Sequence, residues 1–110
     1  MKFKSTTVAG TVEILAADEF NAIPILVTET AVTKAGTPLT AAGKKTTTIT
    51  DAAGILLYDV DPAENPNGAL VVAGVIDKKK AQTHSGVTID AADLKTAVPG
   101  IVLRDNIGTN

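Results

Sequence analysis

The chain contains one imidazole, His84, and no cysteine. Side-chain catalysis needs a nucleophile held by a base, paired carboxylates in a pocket, or a metal with a vacant position. His84 stands in Gln82-Thr83-His84-Ser85-Gly86, a polar stretch that follows Lys78-Lys79-Lys80. His84 and Ser85 have the residue types of a base and a nucleophile, but immediate neighbours rarely reach the geometry, so His84 reads as a solvated loop histidine. Asp59, Asp61, Glu64 and Asn65 could offer oxygen ligands to calcium. They lack the Asp-x-Asn/Asp-x-Asn/Asp-Gly order of a helix–loop–helix calcium loop. Pro62 and Pro66 fall within the same stretch, which favours a turn whose polar side chains cap its own backbone. Gly36, Gly43, Gly54, Gly68 and Gly74 never assemble into a phosphate cradle and read as turn or bulge residues. The lysine run reads as a solvated strand end that discourages edge pairing. The residues thus give no catalytic, cofactor-binding or metal-binding set, and the chain is expected not to be an enzyme and to need no cofactor.

Composition narrows the classes further. At 110 residues the chain has room for one domain with a modest core. Without disulfides or several histidines, oligomerisation is the natural extra source of stability. Apolar residues make up 45%, but only Phe3, Phe20 and Tyr58 are aromatic. Short aliphatic residues suit thin sheet layers and supply no stacking platform for bases. The net charge is -2 and the charges are spread, so no basic field for nucleic acid is expected. No apolar run approaches the length of a membrane span, and none follows Lys2 and Lys4 as a secretory leader would require. A soluble chain is expected.

The elements that must position these residues are mostly strands. Residues 1–18 are β-branched and polar, interrupted at Ala9-Gly10, and read as an extended N-terminal arm or edge strand. Residues 19–110 form the single β-rich domain. Its first strand is read over residues 22–33, with Pro24 at a strand start or on an edge. A turn follows at Gly36 and Pro38, then a loop over 40–48 with the composition of a mobile surface segment. Gly54–Val60 and Ala69–Asp77 read as a hairpin, joined by Asp61-Pro62-Ala63-Glu64-Asn65-Pro66-Asn67-Gly68. The four consecutive apolar residues of the first arm suggest burial on both faces. One short helix is expected over about residues 90–98, capped by Thr88 or Asp90 and stopped by Pro99-Gly100. A last strand covers Ile101–Asp105. The expected fold is mainly β: a small antiparallel β-barrel or sandwich with one short helix. Structural turns fall at Gly36, Pro38, Gly54, Pro66, Gly68 and Gly74.

The order of these pieces carries a resemblance. Thr33-Lys34-Ala35-Gly36-Thr37-Pro38-Leu39, then Ala53-Gly54-Ile55-Leu56-Leu57-Tyr58-Asp59-Val60, Asn65-Pro66-Asn67-Gly68 and Val71-Val72-Ala73-Gly74-Val75-Ile76-Asp77 resemble the core of phage head fibre proteins. More loosely, they resemble the lambda-type capsid decoration proteins. The likeness runs over residues 31–103 and includes the late helix with its Pro99-Gly100-Ile101 ending. It implies a virion protein on the outer capsid surface, made in the host cytoplasm. Its partner would be the major capsid protein, and it would sit there as a homotrimer, stabilising or decorating the shell. In that role Phe3, Thr6, Val8, Val12 and Ile14 of the arm are the expected capsid contacts, able to add a strand to a sheet edge. The alternative reading is a carbohydrate- or host-surface-binding β module displayed on the capsid.

Overall fold

A computed structural model describes residues 14–104, apart from the side chains of residues 16–19. The elements in chain order are β1 (Leu15–Leu26), β2 (Pro38–Leu39), a single 3-10 turn (Ile49–Asp51), β3 (Gly54–Leu56), β4 (Asn67–Asp77), α1 (Lys78–Ser85), α2 (Ala91–Ala97) and β5 (Ile101–Arg104). The fold is mainly β, as the alternating and β-branched runs require. The sheet does not close into a barrel. It has core layers on both faces and is sandwich-like.

β4 organises everything else. One of its sides pairs with β1 from Leu15↔Ile76 to Leu26↔Asn67, antiparallel. Its other side is shared. β3 takes the first half, antiparallel, at Ile55↔Val71 and Leu56↔Leu70. β5 takes the second half, parallel, from Gly74↔Ile101 to Asp77↔Arg104. The parallel pairing departs from the all-antiparallel expectation. It follows from the two helices between β4 and β5, because a parallel return needs a crossover rather than a tight turn.

The hairpin forms with a shorter first arm than its apolar run suggests. β3 stops at Leu56, and Val60 bonds instead to Thr33, each N–H donating to the other's C=O at 2.8 Å. Ile55 and Leu56 are both fully buried, each in a different core cluster. One cluster lies under the helices and contains Ile14, Ile55, Val71, Ile76, Ile89 and Leu94. The other, on the opposite face, contains Val27, Leu39, Leu56, Val60 and Leu70. Alternation would send Val71 and Ile76 to opposite faces. They share a cluster because β4 slips between them. Asn21 opposes Ala73 but Ala22 opposes Val71, leaving Val72 as an extra residue. Gly74 then takes φ 138°, a left-handed backbone that only glycine adopts cheaply.

Two helices are present where one was expected. α2 matches the expected element: Asp90 accepts a hydrogen bond from Asp93 N–H at 3.0 Å, and the helix ends before Pro99. α1 occupies the stretch read as a polar connection. Asp77 caps it by accepting from Lys80 N–H at 3.0 Å, and Gly86 ends it in the left-handed conformation at φ 78°. Three lysines in a first turn oppose the helix dipole, which is why the segment does not advertise itself as a helix. The loop over 40–48 is also tied down. Thr28 N–H donates to Gly43 C=O at 3.0 Å, and Lys45 N–H donates to the Glu29 carboxylate at 2.9 Å.

Candidate functional site

The turn Ala35-Gly36-Thr37-Pro38-Leu39 is buried throughout. Its backbone is stitched to the strand behind it, with Gly36 N–H donating to Leu56 C=O at 2.8 Å and Leu56 N–H to Thr37 C=O at 2.9 Å. Its other face meets α1. A Cβ on Gly36 would stand 2.7 Å from the Ala81 carbonyl oxygen. This turn is therefore the junction between the sheet and the helical layer.

A polar tie crosses the same junction. Asp59 Oδ1 accepts from Ala35 N–H at 2.8 Å and lies 2.8 Å from His84 Nε2. His84 is thus an anchored helix residue with a side chain 18% exposed, rather than the solvated loop histidine expected from its neighbours. The capping of α1 places it there. Burial works to raise the Asp59 carboxyl. The Ala35 N–H and the His84 bond, with the charges of His84 and Lys34, outweigh that and hold it below the usual carboxylate value. Sequence reasoning missed this pair because its members are 25 residues apart and nothing local signals the contact. Beside it lies a shallow, solvent-open depression of about 400 Å³ lined by Lys79, Lys80, Thr83 and His84.

Among the described residues no hydroxyl is hydrogen-bonded to the pair. Ser85 Oγ accepts from Val87 N–H at 3.1 Å and belongs to the turn after α1. Among the described residues the other polar side chains of that stretch are not bonded to Asp59. Asp61 accepts from Ala63 N–H at 3.1 Å, and Asn65 accepts from Asn67 N–H at 3.1 Å. These are the self-capping bonds expected of that turn. Among the described residues no three His, Asp or Glu side chains come together as a metal site would require.

The expected turn residues separate into two kinds. Gly36 sits in a tight turn at φ 91° and Pro38 begins β2. Pro66 precedes β4, its carbonyl accepting from Val27 N–H at 2.8 Å. Gly54, Gly68 and Gly74 lie inside strands, Gly54 in β3 and the other two in β4. Of the expected contact residues, Phe3, Thr6, Val8 and Val12 lie outside the described residues. Ile14 is fully buried in the helix-side cluster. Its carbonyl accepts from Asp77 N–H at 2.7 Å, so it is a core residue with no surface to offer. β1 itself runs through the expected boundary between residues 18 and 19.

The surface that stands out is the outer part of β1. Asn21, Ala22, Ile23 and Pro24 are consecutive and all exposed, although strand residues usually alternate between a covered and an open face. Ile23 is 46% exposed and Leu26 56%, and three residues of separation put them on opposite faces of the strand. β1 is also the end strand of the β1-β4-β3-β2 path. Among the described residues this stretch of β1 is unpaired on one side and exposes apolar side chains on both faces, which makes it a ready contact element. The chain matches no family model and no curated protein.

Proposed function

We propose that this chain is a non-catalytic virion structural protein that docks on the outer surface of a tailed-phage capsid, which it decorates and stabilises as a homotrimer. The observation that carries the docking is the β1 strip, where Ile23 and Leu26 stay about half exposed on opposite faces of one strand. The capsid as partner rests on the resemblance of residues 31–103 to head fibre and decoration proteins. The bonds of the Asp59–His84 pair join a helix to a turn, which gives the pair a place in holding the two layers together. A glycan-binding module draws less support, because Phe20 and Tyr58 are both partly buried and offer no open aromatic platform among the described residues.

The test is sedimentation of the purified chain with undecorated capsids. The wild type should co-sediment. The double variant Ile23→Asp, Leu26→Asp should keep its fold, since both positions are exposed, and should lose binding. Undiminished binding by that variant removes β1 from the interface. A wild type that ignores capsids and runs as a strict monomer in light scattering removes the capsid reading itself.

A further inference from the structure

The depression beside His84 has its own chemistry. Among the described residues Lys79 and Lys80 are exposed at its rim, and Thr83 and His84 also line it. Lys34 is exposed on the adjoining turn, next to Ala35, whose N–H donates to Asp59 at 2.8 Å. Among the described residues Asp59 and Asp77 are the carboxylates bonded at this junction, and both are committed. Asp59 serves Ala35 N–H and His84, and Asp77, buried at 6% exposure, caps α1. Among the described residues no carboxylate lies within ion-pairing distance of Lys79 or Lys80, and His84 is hydrogen-bonded to Asp59. A chain of net charge -2 therefore carries a locally basic corner where the turn meets α1.

We propose that this corner docks an acidic face of a partner protein, a cluster of Asp or Glu carboxylates. Two features favour a protein face over a small anion. The depression is shallow and open, and its cations stand on long side chains rather than converging on an enclosed centre. The Lys80 N–H, which a bound phosphate would use at a helix start, is already taken by Asp77 at 3.0 Å. Rim lysines of this kind steer association and fix orientation more than they add affinity. The inference extends the docking reading by giving the partner's charge, and it uses a different surface from β1.

The test follows backbone amide signals by NMR during titration with hexaglutamate, with hexalysine and inorganic phosphate as comparison probes. Hexaglutamate at about 20 mM salt should move the signals of Lys34 and of residues 79–84. Hexalysine should not. The triple variant Lys34→Glu, Lys79→Glu, Lys80→Glu should bind hexaglutamate at least about tenfold more weakly, from three modest ion pairs. Equal shifts at Lys44, Lys45 and Lys95 would reduce the effect to general charge attraction and overturn the proposal. Phosphate reproducing the same localised shifts would overturn the protein-face assignment. If the triple variant still sediments with capsids while the wild type gives no hexaglutamate response, this inference fails and the β1 docking reading stands.

Discussion

Replacing Gly36 by alanine tests the junction that holds the two layers together. Two costs act at this site and can be separated. Gly36 holds φ 91°, and placing a Cβ in the left-handed region costs about 1–2 kcal/mol. That Cβ would also stand 2.7 Å from Ala81 O and 2.8 Å from Ala81 Cα, both backbone atoms of a packed helix that cannot rotate away. Overpacking of this kind costs about 1–3 kcal/mol. The total of about 2–5 kcal/mol compares with a whole-domain stability of about 5–15 kcal/mol. A domain of this size should then melt about 10–20 °C lower. Gly86→Ala isolates the first cost. Gly86 has a similar φ of 78° but nothing within 4 Å of its would-be Cβ. It should lose only the strain, about 1–2 kcal/mol. Urea unfolding followed by circular dichroism measures both variants. If Gly36→Ala is no less stable than Gly86→Ala, the α1–turn contact does not carry the energy assigned to it.

Asp59→Ala leaves the buried Ala35 N–H without its acceptor and should cost about 1–3 kcal/mol in urea unfolding. His84→Ala removes only the partly exposed second bond and should cost less, about 0.5–1 kcal/mol. The Asp59 carboxyl is held below its ordinary value, so its contribution is complete above the unfolded-state pKa of about 3.9 and is lost as pH falls through the lower folded value. Stability measured from pH 6 to pH 2 should therefore fall less steeply at the acid end in Asp59→Ala than in the wild type. Asp77→Ala removes the α1 cap and should cost about 0.5–2 kcal/mol, with hydrogen exchange rising first at the amides of residues 79–81.

The strands were legible where local rules suffice. The apolar run at Ile55-Leu56 announced burial on both faces, and each residue enters a different cluster. Capping chemistry offered Thr88 or Asp90 as the start of α2, of which Asp90 is the cap, and Pro99-Gly100 marked its end. The polar loop after Val60 announced its own Asx turns. What the sequence concealed depends on distant partners. α1 hid behind three lysines at its unfavourable end, although Asp77 and Gly86 are ordinary cap residues in hindsight. The parallel pairing of β5 has no local signal, because direction is set by the length and packing of the crossover. The Asp59–His84 tie was invisible for the same reason. Ile14 misled because a β-branched residue in an arm and one at the start of a core strand have the same composition.

Among the described residues β1 has one unpaired side, and it constrains how a partner can approach. Ala69 C=O accepts from Leu57 N–H at 2.9 Å, so the Ala69 backbone points toward the β3 side of β4. Its β1 partner is Pro24. In an antiparallel pair that does not exchange bonds, both backbones point outward, so the donor that proline lacks is missing from the free edge rather than from the ladder. The backbone groups of Ile23, Ile25 and Val27 face β4, Val27 N–H donating to Pro66 C=O at 2.8 Å. Beyond Leu26 the edge is closed, because Thr28 N–H is taken by Gly43. An incoming strand would meet a gap in the donors at Pro24 and the 40–45 loop shortly after it. The edge is thus blunted against strand addition in the way exposed edges usually are, while the side chains of Ile23 and Leu26 remain open on either face. A partner that uses β1 therefore grips it by its aliphatic faces, and substitutions at Ile23 and Leu26 are more informative than any that alter the backbone.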